Sequence, residues 1–162
     1  MISRACLVLV LPFVAGCGGM SNSTSTESSG GAPSDRFAGL VDDERETVMI
    51  ATSDESAGEY RMSPAVFDTV IVRSVPAVEN EPRVVEALLK GSFPDGCTEL
   101  QQLMQSKTAG GQSATLTMRR PVSAICTQVV RPYRFFFELD FRYPPGDYML
   151  VVNDRSFAFT VR

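Results

Sequence analysis

Histidine is absent from the 162 residues. That removes His-based nucleophile triads, the usual neutral-pH general base and the commonest metal ligand together. A basic excess is also missing: 15 Lys and Arg stand against 19 Asp and Glu, a net charge of −4. A nucleic-acid binder needs a cationic surplus to displace counterions from phosphates, so the balance argues against that class. No apolar run reaches the roughly twenty residues that cross a bilayer as a helix. No G-x-x-x-x-G-K-[ST] loop occurs to cradle a phosphate, and no C-x-x-C pair offers redox chemistry. Lys90 and Lys107, the bases left to activate a serine, have no S-x-x-K spacing. What is present is an ordinary globular mixture, 44% hydrophobic and 21% charged, sufficient for one compact domain. No internal repeat is visible.

The N-terminus carries the clearest motif. Residues 1–4 form a short n-region with one positive charge, and residues 5–14 (ACLVLVLPFV) form an apolar stretch of signal-peptide length. Val14-Ala15-Gly16-Cys17 follows directly and resembles the lipobox of bacterial lipoproteins. The resemblance implies a diacylglyceryl group on the Cys17 sulfur and cleavage between Gly16 and Cys17. At about 0.8 kcal/mol per buried CH₂, two or more acyl chains hold a domain firmly on a membrane. Gly18 after Cys17, rather than Asp, resembles the outer-membrane lipoproteins of enteric bacteria. The implied location is the cell envelope, outer membrane, facing periplasm or exterior.

The organisation that follows is a signal peptide at 1–16, a linker at 17–61 and a domain at 62–162. Residues 18–34 are almost entirely Gly, Ser and Thr and bury too little surface to offset chain entropy, so they read as a flexible spacer. Residues 35–60 are acidic, without the ligand spacing of a calcium loop. They read as solvated linker with one short strand at residues 47–51.

Beyond Met62 the chain breaks into short runs of period-two alternation. Residues 67–75 (FDTVIVRSV) are β-branched and bounded by prolines. Residues 83–90 and 99–107 fit either a strand or a helix, with Gly91 a possible helix stop. In 114–119, Leu116 and Met118 alternate with Thr115 and Thr117. Phe135, Phe137, Leu139 and Phe141 share one face opposite Arg134, Glu138 and Asp140. Gly110-Gly111 reads as a hairpin turn. After Pro144-Pro145-Gly146-Asp147, Tyr148, Leu150 and Val152 line one strand; Asn153-Asp154 reverses it, and Phe157, Phe159 and Val161 line the return. The expected fold is all-β, an antiparallel immunoglobulin-like sandwich of about seven strands.

With Cys6 discarded in the leader and Cys17 acylated, Cys97 and Cys126 remain. In the oxidising compartment a signal implies, two such thiols pair. Closing a loop of about 29 residues restricts the unfolded chain by about 3–4 kcal/mol. A structural zinc site needs four ligands, so no metal is expected. The stretch Gly91-x-Phe93-Pro94-Asp95-Gly96-Cys97-Thr98, with Cys126, is similar to stretches of small secreted bacterial β-domains; this bears on fold and pairing alone.

No catalytic residues, enzymatic activity or cofactor are expected. Asp140, Asp147 and Asp154 fall at strand ends or turns, where Asp serves turn chemistry. One constellation is basic and aromatic: Arg119, Arg120, Arg131, Tyr133, Arg134 and Phe136, continued by Arg142 and Tyr143. Such residues are enriched at binding surfaces and suit an envelope protein, an anionic polymer or lipid headgroups. The alternative packs Phe136 against the second edge of the sheet or the N-terminal segment and pairs the arginines with acids. The functional expectation is a lipid-anchored, non-enzymatic binding or structural accessory module. The alternatives are an inhibitor or partner-binding domain working through the disulfide-held loop 119–131, and a His-free hydrolase of envelope polymer.

Overall fold

The structure, a computed structural model, describes residue 37 and residues 44–52 and 58–162. The signal segment, the lipobox with Cys17 and the Gly/Ser/Thr spacer lie outside the described residues.

Nine strands follow one another among these residues: β1 (Glu46–Thr47), β2 (Tyr60–Pro64), β3 (Phe67–Ser74), β4 (Val85–Phe93), β5 (Glu99–Thr108), β6 (Gly111–Pro121), β7 (Arg131–Glu138), β8 (Gly146–Val152) and β9 (Arg155–Val161). They form a β-sandwich. One sheet runs β1-β7-β4-β3; in the other, β6 pairs with β2, β5 and β8, and β9 flanks β8. Most pairings are antiparallel as expected, but β1 with β7 and β6 with β8 are parallel.

Alternation decides which residues meet between the sheets. Ala87 and Leu89 of β4, Leu116 and Met118 of β6, Phe135 and Phe137 of β7 and Leu150 of β8 all join one core. β4 was ambiguous because its Ala87-Leu88-Leu89 run is apolar without a break. The run is a strand covered on both faces: Leu88 turns away from the main core into a second cluster with Phe136 and Phe37. Gly91 is not a helix stop. It lies within β4 where a Cβ would come within 2.3 Å of the Val66 carbonyl oxygen and 2.7 Å of the Tyr133 ring. Only glycine permits that approach.

β5 occupies one edge of β6 from Thr108↔Gly111 to Glu99↔Arg119. The other edge is shared end to end by β2, ending at Pro64↔Thr117, and β8, ending at Val152↔Ala114. A side chain completes the ladder between them. The Asn153 amide oxygen accepts from the Leu116 N–H at 2.8 Å, and its nitrogen donates to the Leu116 carbonyl at 2.8 Å and the Ala65 carbonyl at 3.3 Å. Asn153 and Asp154 have φ of 42° and 70°, the left-handed pair of a tight primed hairpin turn.

The segment assigned to a linker is partly built into the fold. Glu46 and Thr47 pair with β7; the Val48 N–H donates to the Arg134 carbonyl at 3.0 Å and the Ala51 N–H to the Leu100 carbonyl at 2.7 Å. Tyr60 and Arg61 already belong to β2. The physical reason is charge as well as pattern. Glu46 meets Arg131 at 2.7 Å and Arg45 meets Asp68 at 3.0 Å, so part of this charged segment finds partners on the domain. Val48 and Ile50 pack on the core.

Candidate functional site

The site lies at one end of the sandwich, where the β4–β5 turn meets the β6–β7 connection. Asp95 organises the turn. One carboxylate oxygen accepts from the Cys97 N–H, the Thr98 N–H and the Thr98 hydroxyl, each at 2.9 Å. The other meets Arg120 Nε at 2.6 Å. Only 5% of Asp95 is exposed. That burial pushes its pKa up, but the hydrogen bonds from Arg120, Cys97 and Thr98 outweigh it and hold the carboxyl down to about 2.

The β6–β7 connection rests on this turn. Cys97 and Cys126 form a disulfide with Cα atoms 5.5 Å apart, an ordinary separation for a bridge. The Gly96 N–H donates to the Thr127 carbonyl at 2.9 Å. A Cβ on Gly96 would stand 2.1 Å from Thr127 Oγ1, so a side chain there would force Thr127 to shift. At the other end, the Val122 N–H donates to the Glu59 carbonyl at 2.9 Å. Asp95, Cys97 and Cys126 have ligand atoms within 4.8 Å of one another, but bridged sulfurs are not thiolates, so the cluster is not a metal-ligand set.

The structure spreads the basic-aromatic constellation through the fold, with its aromatic members buried, rather than over one exposed patch. Tyr133 is fully buried, stacked on Phe93 with centroids 4.5 Å apart, and its hydroxyl donates to the Val66 carbonyl at 2.9 Å. Burial and the nearby Asp68 raise its pKa. Phe136 is buried too, edge-on to Phe37 at 5.3 Å; the N-terminal segment supplies its cover. Arg119 pairs with Glu99 at 2.7 Å, donates to the Thr52 carbonyl at 3.2 Å and lies 4.6 Å over the Tyr60 ring. Arg120 is committed to Asp95. Arg131 bonds Glu46 and the Thr98 carbonyl and lies 5.0 Å over Phe93. Arg134 donates to Thr47 Oγ1 at 2.7 Å. These six side chains hold the N-terminal segment, the turn and the sheets together. Farther off, Tyr143 is buried, donating to Gln112 Oε1 at 2.8 Å; burial, then Asp140 and Tyr148, push its pKa up to about 12.

What the end of the sandwich does expose is aliphatic. Ile125 is 103% exposed, Val122 46%, Val129 59% and Val130 63%. The signal was in the sequence: VSAICTQVV, at 122–130, combines apolar residues with neither strand nor helix period. Because the loop is pinned at both ends, these side chains cannot readily collapse onto the core.

Comparison with known proteins places this region within a family. Residues 87–161 match the ORF11 beta-sandwich domain, a span that holds both bridged cysteines and the aliphatic loop. An uncharacterized 10.2 kDa protein in the HgiCIIM 5′ region of Herpetosiphon aurantiacus is 28% identical over 81 residues, covering 50% of this chain and 86% of that protein. A second, in the HgiBIM 5′ region of the same organism, is 32% identical over 73 residues, covering 45% of this chain and 89% of the relative. No solved structure matches. The extent of the match shows that the chain belongs to one family with these relatives, and its residues 87–161 are similar to the ORF11 β-sandwich domain.

Proposed function

We propose that this chain is a lipid-anchored, extracytoplasmic binding module without enzymatic activity, which engages a protein partner through the loop at 122–130. The observation that carries the reading is the pinned loop with Val122, Ile125, Val129 and Val130 turned to solvent. Aliphatic side chains held out of the core add little to folding, whereas pre-organisation reduces the entropy lost on binding. A protein partner suits this surface better than an anionic polymer, because the neighbouring arginines are engaged within the fold. The anchor rests on Val14-Ala15-Gly16-Cys17, and the disulfide agrees with an oxidising compartment. The proposed location is the bacterial envelope, on the outer membrane.

Two measurements test the two halves. Metabolic labelling with a palmitate analogue is expected to mark the wild type and not Cys17→Ser; equal labelling defeats the anchor. A photoreactive residue at position 125, irradiated in whole cells, is expected to give one protein adduct that the same probe at Thr117 does not give. Identical adducts from both positions defeat the loop as the docking element.

A further inference from the structure

We infer that a cavity at the opposite end of β6 from the aliphatic loop binds a small organic anion, a carboxylate carried on a six-membered ring, with Lys107 and Arg142 as its cationic partners. This site shares no residue with the loop at 122–130 and stands apart from its docking role.

The cavity has a volume of about 190 Å³ and opens between the β5–β6 hairpin and the segment joining β7 to β8. Lys107, Thr108 and Gly111 line it from the hairpin, and Phe141, Arg142 and Pro144 from the segment. Both walls are fixed before any ligand arrives. The Met149 N–H donates to the Gly110 carbonyl at 3.0 Å, and a Cβ on Gly111 would stand 2.0 Å from the Met149 carbonyl oxygen, so the hairpin tip lies directly on β8. Across the cavity, Tyr143 exchanges main-chain hydrogen bonds with Arg83 at 2.8 and 2.9 Å. The Tyr148 hydroxyl, also in the wall, donates to the Pro144 carbonyl at 3.0 Å; its oxygen keeps lone pairs that can accept from a ligand.

Charge selects the sign of the ligand. On a protein of net charge −4, this cavity is lined by two cations and by no acid. Among the described residues, Lys107 and Arg142 form no ion pair. The acids closest to Arg142 in sequence are engaged elsewhere: Asp140 accepts from Gln105 Nε2 at 2.9 Å, and Asp147 from Thr160 Oγ1 at 2.7 Å. Thr52 and Glu59, which flank residues 53–57, bond Arg119 and Val122 at the far end of β6, so the chain between them begins and ends away from the cavity. A guanidinium fork matches the two oxygens of a carboxylate, and an ammonium adds a second charged donor.

Shape selects the body that carries the charge. Lys107 Nζ lies 5.6 Å over the Phe141 ring, and Tyr143 and Tyr148 meet edge to face at 4.9 Å. Aromatic walls of this kind favour a ring with an apolar face. At about 30 Å³ per water, the volume equals about six waters, the room taken by one six-membered ring and its carboxylate.

The test titrates the full chain with four probes, benzoate, glucuronate, acetate and benzyl alcohol, and follows backbone amide resonances. Benzoate or glucuronate is expected to bind with a Kd of about 1 mM or tighter and to shift residues 107–111 and 141–148. Tighter binding of benzoate marks an aromatic acid as the ligand class, and of glucuronate a sugar acid. Acetate lacks the ring and benzyl alcohol the charge; each is expected to bind at least about tenfold more weakly. Arg142→Gln and Lys107→Gln, at exposed positions, are each expected to weaken binding about tenfold or more. Arg61→Gln removes the same charge at the far end of β6 and is expected to leave binding unchanged. Thermal unfolding establishes that the variants keep the fold. Failure of both ring carboxylates to bind overturns the inference. So does binding indifferent to Arg142→Gln and Lys107→Gln, or acetate binding as tightly as the ring acids. The photoadduct at position 125 reports on the docking role alone, so either reading can fall without the other.

Discussion

Two sets of apolar residues lie outside the main core, and their fates differ. On the outer face of the β1-β7-β4-β3 sheet, Leu88 and Phe136 would face water but for Phe37, which is itself fully buried against them. At the end of the sandwich, Val122, Ile125, Val129 and Val130 have no such cover. The first cluster is closed by the chain's own N-terminal segment, so its burial stabilises the fold. The second is held open by a disulfide and main-chain hydrogen bonds. Exposed apolar surface on a rigid support adds little to stability, which is the ground for the recognition role proposed above.

Mutations in the two sets therefore separate stability from binding. Phe136→Ala is expected to cost about 3–5 kcal/mol in chemical denaturation, the usual cost of emptying a buried phenylalanine site. A loss below about 1 kcal/mol would mean that Phe37 does not cover the face in solution. Next in size, replacing Cys97 and Cys126 together by alanine is expected to cost about 2–4 kcal/mol and to make the loop sensitive to limited proteolysis. An equally resistant loop would show that the hydrogen bonds alone pin it.

Asp95→Asn is expected to cost about 1–3 kcal/mol, because Arg120 loses its carboxylate partner. The difference from wild type should depend on pH with a defined sign. Asp95 has a folded pKa of about 2 against an ordinary 3.8, so its stabilisation is complete above the ordinary value. It is lost as pH falls toward and through the folded one. Wild type and Asp95→Asn should accordingly converge in stability between about pH 4 and pH 2; parallel curves would remove Asp95 from its role. The smallest effect belongs to the loop tip. Ile125→Asp is expected to change stability by less than about 0.5 kcal/mol, and a larger loss would show that Ile125 packs on the domain.

Strand positions were readable wherever one face is buried and the other wet. Leu116 and Met118 alternate with Thr115 and Thr117, and Asn153-Asp154 marks the last hairpin turn. The reading stayed open between strand and helix at β4, where the Phe37 cluster covers the second face and erases the alternation. The bridge was legible from the thiol count once the N-terminal motif was taken to imply an oxidising compartment and to remove Cys6 and Cys17 from pairing. The roles of the arginines were not, since Arg131 finds Glu46 85 positions away and Arg120 finds Asp95 25 positions away. An arginine's partner is a property of the fold, and the local sequence had offered only nearer acids such as Glu138 and Asp140.

The sequence by itself determined an all-β domain, its principal turns and the pairing of two cysteines, because period-two patterning, turn chemistry and thiol count are local or compositional quantities. Only the tertiary structure decided which apolar residues stay in water. Along the chain Phe136 could be either exposed or packed, and nothing marks Ile125 for either fate. One is buried because Phe37 reaches it; the other is exposed because the clamps at Val122, Cys126 and Thr127 keep the loop from folding back.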